Sequence, residues 1–264
     1  MQFEPCYKTI AACDNHFQRH VDAIAEFVDN SIQACSNLGI RQERTVKGEV
    51  QIALFLEPGH NDKRAFLVVA DNGIGMNEGG IREFAKYAND HPVRGMNQVG
   101  RGAIGRFGVG ATQASAYLGD RYRLVSKTLD DNNVYEFVSD ADEMKKKEEA
   151  KESVYKNVIS VREAGNPFEN HKDEQEHEEL QKFTDEWEIR NKNSFTYIIV
   201  RLRPDIHRQL MAGMRYNDIP NELSEIYHFQ LHTNHLPQNI KFSAPKIIGE
   251  SVNYRYVSRV IDIL

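Results

Sequence analysis

The sequence predicts a mixed α/β (α+β) fold, a two-layer sandwich in which a mixed, mostly antiparallel sheet is covered by helices on one face. Two observations support this prediction. A long amphipathic helix precedes two β-rich runs that are joined by a short turn, and several further strands follow without regular alternation with helices. Because a Rossmann-type fold alternates strand and helix throughout, the pattern argues against that fold.

The first elements are a helix and a hairpin. Apolar residues at three- and four-residue steps predict a helix over residues 16–36, with Asp14 as its N-cap. Strands at 49–57 and 65–70 flank a turn in the sequence PGHND, which predicts a hairpin packed on that helix.

Glycine is frequent in the next part of the chain. A loop at 71–80 carries four glycines and leads into a helix near 81–87. Residues 89–110 are glycine-rich and poor in apolar side chains, and a connection of this length indicates a functional lid. A helix is predicted again at 111–118.

The second half of the chain is strand-rich. The remaining predicted elements are strands at 121–127 and 135–139, a charged helix at 142–155, a strand at 157–162, a helix at 173–187 outside the sheet within a polar interruption at 165–193, a strand at 194–202, a helix at 221–229 and a final strand pair around 240–256.

Composition limits the class of protein. The formal charge of −6 argues against a domain whose whole surface grips nucleic acid, and the dense basic cluster at 145–147 is expected on a solvated helix face. No apolar run approaches the roughly 20 residues that cross a bilayer, and the N-terminus lacks the features of a signal peptide, so we expect no membrane segment and no secretion. Cys6, Cys13 and Cys35 match no metal or redox spacing, which favours reduced, buried thiols.

Two polar side chains share one face of the first helix. Glu26 and Asn30 are four residues apart, whereas Phe27, Val28 and Ile32 point toward the core. A carboxylate can polarise a water molecule, and a neighbouring amide oxygen can hold a divalent cation against phosphate. The alternative interpretation is an ordinary solvated helix face.

A second constellation follows the buried strand at 65–70. Asp71 can accept a hydrogen bond from an exocyclic amine, and Gly73 and Gly75 let a flat ring approach the backbone. These features suit adenine. Since Asp-Asn-Gly is also common turn chemistry, a simple β-turn is the alternative.

The third constellation is the glycine run at 100–110, which leads directly into a helix. Backbone N–H groups at a helix N-terminus form an anion site, to which Arg101 and Arg106 could add charge. The run lacks the Gly-Lys-Ser/Thr ending of a Walker loop, and a flexible linker is the alternative.

Four motifs in order carry a resemblance: EFVDNS at 26–31, DNGIGM at 71–76, FGVG at 107–110 and SFT at 194–196. Together they resemble the GHKL ATPase superfamily, which implies a Bergerat fold with a glycine-rich ATP lid. The resemblance implies that Glu26 is the general base, that Asn30 coordinates Mg²⁺, that Asp71 reads adenine with Gly73 and Gly75, and that Thr196 supports the adenine pocket. It also places in the ATP site Ile74, Met76, Gly105, Phe107, Gly108, Val109 and Gly110.

Within the superfamily, the chain is similar to the MORC and MutL-like branches. Longer stretches, including FGVGATQASAYLG and SFTYIIVRLRPDI, resemble the N-terminal ATPase domain of the SMC flexible hinge domain-containing chromatin proteins. That resemblance implies an ATPase domain at 1–242 with an N-terminal segment at 1–15, and the start of a transducer-like region at 243–264. It further implies nuclear localisation, ATP-dependent homodimers, and contact with DNA or chromatin through regions outside this chain.

The leading hypothesis is a slow, Mg²⁺-dependent ATPase whose lid closure and dimerisation switch a chromatin-organising or gene-silencing machine. One alternative is an ATP-binding conformational module with little hydrolysis, and another is a MutL- or MORC-like ATPase of DNA repair or genome defence. A histidine kinase is disfavoured because no His-bearing helical hairpin precedes the domain.

Overall fold

The computed structural model describes residues 17–42, 48–56, 65–85, 110–153, 159–163, 182–183, 185, 192–227, 238–242 and 246–247. The predicted N-cap Asp14, the PGHND turn and the lid up to residue 109 lie outside the described residues. The helices are α1 His20–Arg41, α2 Glu78–Ala85, α3 Gly110–Leu118, α4 Ala141–Glu149, α5 Pro204–Met211 and α6 Ile219–Ile226, with a 3₁₀ helix at Ala212–Asn217 between the last two. The strands are β1 Gly48–Leu56, β2 Phe66–Asp71, β3 Gly119–Lys127, β4 Asn133–Asp140, β5 Ile159–Glu163, β6 Phe195–Leu202, β7 Gln238–Phe242 and β8 Lys246–Ile247.

Helix α1 is the long amphipathic helix that the apolar spacing predicts. It begins four residues later than the predicted start and continues five residues beyond the predicted end. Leu38 is buried and extends the apolar stripe of Val21, Ile24, Val28 and Ile32, which explains the extra turn at the C-terminal end.

One sheet contains all eight strands. Its order is β5-β4-β3-β6-β2-β1-β7, with β8 also paired to β1. Every neighbouring pair from β5 to β1 is antiparallel, whereas β7 and β8 each join β1 in parallel. The prediction of a mixed, mostly antiparallel sheet is confirmed. Within the described residues, β7 and β8 each pair with the other edge of β1, and much of the strand pair predicted at 240–256 lies outside these residues.

Both faces of the central strands are buried. The larger core lies between the sheet and helices that include α1, α3, α5 and α6, as the two-layer fold predicts. A second cluster on other side chains of the same strands includes Phe55, Phe66 and Tyr197. Phe183 completes this cluster, with ring centroids 6.1 Å from Phe55 and 6.2 Å from Tyr197. The interruption that the sequence places outside the sheet thus contributes to covering its second face.

Helices α4 and α5 differ most from the sequence prediction. Helix α4 ends at Glu149 rather than near residue 155, and Lys151 follows with a left-handed φ of 57°. Helix α5 was not predicted; Pro204 at its first position favours helix initiation, and Ile206 and Leu210 supply its one buried stripe. An eight-residue helix offers too few turns for clear periodicity.

Helices α1 and α3 run antiparallel along one face of the sheet. His20, at the start of α1, lies 3.0 Å from the Tyr117 hydroxyl near the end of α3, while Glu26 lies against Gly110 at the α3 N-terminus. This packing fixes where the first turn of α3 points. No helix in the described part of the chain is long and apolar enough to cross a membrane.

Candidate nucleotide-binding site

Asp71 is a buried carboxylate at the end of β2. It pairs in register with Val50 on β1 and Thr196 on β6, and only 3% of its surface is exposed. Its Oδ1 accepts a hydrogen bond from the Gly73 N–H at 2.9 Å, and Ser31 of α1 also bonds to it. Burial raises the pKa of Asp71 to about 7, and the hydrogen bonds from Gly73, Ser31 and the Thr196 backbone only partly offset this rise.

The two glycines after Asp71 are required by close packing. A Cβ at Gly73 would lie 2.6 Å from Ala34 of α1, to whose carbonyl the neighbouring Ile74 N–H donates at 3.0 Å. Gly75 has a φ of +68°, and a Cβ there would overlap the carbonyl of Lys127. Only glycine therefore allows the loop to pass between α1 and β3.

Ser126 on β3 holds the loop to the adjoining strand, and the sequence analysis did not identify it. Its hydroxyl accepts a hydrogen bond from the Met76 N–H at 2.8 Å and donates to the Phe195 carbonyl at 2.8 Å. It also lies 3.1 Å from Oγ1 of Thr196. A single serine in a strand belongs to no motif, so only the β3–β6 register reveals this position.

Asn72 fixes the other side of the loop. Its Oδ1 accepts from the Glu49 N–H at 2.7 Å, and its own N–H donates to the Glu49 carbonyl at 3.2 Å. Glu49 in turn forms an ion pair with Lys192 at 2.9 Å. The conformation of residues 71–76 is thus set from β1, α1 and β3 together.

Glu26 and Asn30 lie on the partly exposed face of α1, one turn apart, while Phe27 and Val28 are fully buried behind them. The Glu26 carboxylate faces Gly110 so closely that any side chain at position 110 would overlap it. A carboxylate at a helix N-terminus is in a favourable electrostatic position.

The first turn of α3 offers hydrogen-bond donors. The first N–H groups of a helix have no intrahelical acceptor. The Thr112 hydroxyl is buried and makes no hydrogen bond within the described part of the chain. Backbone donors, the positive end of the helix dipole and this hydroxyl suit a bound anion.

Helix α1 connects the two ends of the site. Ser31 and Ala34 contact the Asp71 loop, and Glu26, about 7.5 Å along the helix axis from Ser31, contacts the α3 N-terminus. The structure therefore brings together the predicted residues on α1, the loop, α3 and β6: Glu26, Asn30, Asp71, Gly73, Ile74, Gly75, Met76, Gly110 and Thr196. Gly105, Phe107, Gly108 and Val109 lie outside the described residues.

Comparison with known proteins gives two results. A family model described as histidine kinase-, DNA gyrase B-, and HSP90-like ATPase matches residues 19–176. The structural maintenance of chromosomes flexible hinge domain-containing protein 1 of Mus musculus is 28% identical over 247 residues, which is 86% of this chain. Its Homo sapiens counterpart is 28% identical over 232 residues, or 80% of this chain. The chain spans 11% of the length of each of these relatives.

The family model covers more than half of the chain and includes α1, the Asp71 loop and α3. Its matched region contains three of the four motifs that the sequence analysis identified. The sheet has the mixed, mostly antiparallel order that the resemblance implies. The chain belongs to the family of histidine kinase-, DNA gyrase B- and HSP90-like ATPases.

Proposed function

We propose that this chain binds ATP between α1, the Asp71 loop and α3, and that it hydrolyses ATP slowly with Mg²⁺. The observation that carries the proposal is the placement of one helix. Through Ser31 and Ala34, α1 contacts a loop that has a buried acceptor, and through Glu26 it contacts a helix N-terminus, whose first N–H groups have no acceptor within the helix. The proposed adenine-binding loop after Asp71 and the proposed phosphate-binding N-terminus of α3 therefore both contact α1.

Each side chain has a distinct role in this proposal. Asp71 accepts a hydrogen bond from the adenine amine, with Gly73, Ile74, Gly75 and Met76 shaping the pocket and Thr196 supporting it beside Ser126. Glu26 takes a proton from the attacking water, since its carboxylate lies at the phosphate-binding end.

The phosphate end fits an anion together with a cation. The first turn of α3 supplies backbone N–H groups from Gly110 onward, and the lid residues Gly105, Phe107, Gly108 and Val109 are proposed to complete the cradle. Within the described residues, no group of three or more His, Cys, Asp or Glu side chains is placed to hold a metal ion. Asn30 would hold Mg²⁺ together with phosphate oxygens, and the ion would neutralise charge on the phosphates.

The test combines calorimetry and turnover with magnesium ATP. We expect Glu26→Ala to bind ATP with unchanged affinity and to lose turnover by about 100-fold or more, because only the base is removed. Asn30→Ala should lose the Mg²⁺-dependent part of binding. Asp22→Ala is the matched control: it removes an exposed acid one turn before Glu26 on the same helix and should leave both quantities unchanged.

Unchanged turnover in Glu26→Ala would overturn the base assignment. Tight ATP binding without turnover in the unmodified chain would instead favour the ATP-binding module. The MutL- or MORC-like alternative shares this chemistry and differs only in what the ATPase drives.

We further propose that ATP drives lid closure and homodimerisation, in the nucleus, as the switch of a chromatin-organising or gene-silencing protein. The similarity to two proteins named for structural maintenance of chromosomes supports this role. The proposed ATPase domain spans residues 1–242, a transducer-like region follows, and contacts with DNA lie outside this chain. Light scattering with and without ATP tests dimerisation, and a monomer in every nucleotide state would contradict it.

A further inference from the structure

Tyr227 contacts the helical turn of α1 that carries Glu26. Tyr227 is the C-cap residue directly after α6 and is buried, with its hydroxyl against α1. Its hydroxyl lies 2.9 Å from the Ala25 carbonyl and 2.8 Å from Oδ1 of Asp29. Both acceptors belong to the same helical turn, and that turn carries Glu26.

The contact is specific to this turn. The Ala25 carbonyl already accepts the Asp29 N–H in the ordinary helical pattern. The single hydroxyl hydrogen of Tyr227 is shared between this carbonyl, directly before Glu26, and the Asp29 carboxylate. The Asp29 side chain then anchors the other end of the turn, next to Asn30. Burial, together with the nearby charge of Asp29, raises the pKa of Tyr227, so the hydroxyl keeps its proton and acts as a donor.

The contacts of Tyr227 with α1 affect the position of Glu26, the proposed general base. Glu26 is held on one side by the limited space beside Gly110, which restricts where its carboxylate can lie. Its backbone is held on the other side by α6. General-base catalysis depends strongly on the distance and angle to water, and a displacement of about 1 Å can cost a rate factor of about 100.

We propose that Tyr227 is a positioning residue for Glu26, acting through its hydroxyl, whose single hydrogen is shared between the Ala25 carbonyl and the Asp29 carboxylate. The inference rests on the proposed hydrolysis at this site. It assigns no contact with nucleotide to Tyr227. The sequence motifs do not reveal this residue because its partners lie about 200 residues earlier in the chain.

The test compares two tyrosine-to-phenylalanine variants of the 264-residue chain. Tyr227→Phe removes only the hydroxyl, and we expect kcat to fall about tenfold while KM and ATP affinity change less than about twofold. Tyr216→Phe is the matched control, because Tyr216 is buried in the neighbouring 3₁₀ helix and its hydroxyl makes no hydrogen bond to α1 within the described residues. It should retain the kcat of the unmodified chain.

Variants of Asp29, which accepts the hydrogen bond, test the same contact without changing Tyr227. Asp29→Ala should lower kcat by a similar factor, whereas Asp29→Asn keeps an acceptor oxygen and should restore most of the rate. Adding Asp29→Ala to Tyr227→Phe should cost little more than Tyr227→Phe alone, because loss of the hydroxyl already removes the contact with Asp29. If Tyr227→Phe did not fold, the two Asp29 variants would decide the question.

Three results would overturn the inference. One is a Tyr227→Phe variant as active as the unmodified chain, and another is an equal loss of ATP affinity and kcat, which indicates a general distortion. A fall of the same size in Tyr216→Phe would indicate a nonspecific packing effect. An unmodified chain without turnover would instead overturn the proposed hydrolysis itself, so the two failures are distinguishable.

Discussion

At the scale of single residues, Asp71 combines two opposing requirements. Its carboxyl group accepts a hydrogen bond from an amine more strongly when it is ionised, yet it is almost fully buried, and burial raises its pKa to about 7. Three donors, the Gly73 and Thr196 backbones and the Ser31 hydroxyl, partly stabilise the charge. The free energy of unfolding should therefore depend on pH through the ionisation of Asp71.

We predict that stability falls as pH rises from about 4 to 7. The folded carboxyl has a pKa near 7 and the unfolded one near its ordinary 3.8, so the folded state binds more protons in this window and loses that advantage as pH rises. The change is at most about 4 kcal/mol, at about 1.4 kcal/mol per pKa unit. ATP affinity should rise over the same window as Asp71 ionises.

Denaturant unfolding at several pH values measures this effect. Asp71→Asn cannot ionise, so it should show a flatter pH dependence than the unmodified chain and a higher stability at pH 8. Met214→Ala, which removes an exposed side chain and no ionisable group, serves as control and should leave the slope unchanged. An Asp71→Asn variant with the same slope as the unmodified chain would contradict the assignment.

Residues also differ in how readily the sequence reveals them. Glu26, Asn30 and Asp71 lie in compact motifs, because neighbours in the chain are neighbours on one helix or one loop. Ser126 and Tyr227 act through partners that are remote in sequence, 70 residues away for Thr196 and 202 for Ala25. Their roles depend on strand register and helix packing, which local patterns do not encode.

At the scale of elements, the antiparallel contact between α1 and α3 determines where the carboxylate of Glu26 can lie. Gly110 leaves just enough room for the Glu26 carboxylate, which is the mobile end of a long side chain. A methyl group there would displace that carboxylate and leave the backbone in place, so the cost in stability is small.

We therefore predict that Gly110→Ala lowers kcat about tenfold or more and changes the thermal midpoint of unfolding little. Steady-state turnover and thermal unfolding of the same preparation measure both quantities. Glu26→Asp shortens the side chain, so in the Gly110→Ala background it should cost less activity than it does alone. Full additivity of the two changes would indicate that they act separately.

The elements themselves were largely predictable. Long or strongly patterned segments such as α1, β2 and β6 follow from apolar spacing, and their ends shift by a few residues because Leu38 and similar positions continue a buried stripe. The parallel pairing of β7 and β8 with β1 was not predicted, since the partner of an edge strand depends on which edge the completed sheet leaves open.

At the scale of the whole molecule, the second face of the sheet depends on Phe183. This ring contacts Phe55 and Tyr197 and is 4% exposed. We predict that Phe183→Ala lowers the free energy of unfolding by about 3–5 kcal/mol, the usual cost of removing a buried aromatic ring. The proposed nucleotide site lies between α1, the Asp71 loop and α3 and does not include this cluster, so ATP affinity of the folded fraction should not change.

Denaturant unfolding and calorimetry check this prediction. Met214→Ala provides the comparison, because Met214 is 57% exposed and its truncation should alter stability by less than about 0.5 kcal/mol. Equal stability of the two variants would show that the ring contributes little to the second face.

The position of β6 in the sheet has a consequence for how the molecule is made. Strands β1 and β2 form one antiparallel pair and β3 and β4 another, and in the described part of the sheet β6 lies between β2 and β3 and joins the two pairs. Because the chain is synthesised from its N-terminus, residues 195–202 emerge after all four of these strands, so this order of strands requires β6 before the two pairs can share a sheet. Thr196 arrives on that same strand, so the sheet closes and Asp71 gains its neighbour in a single late step of folding.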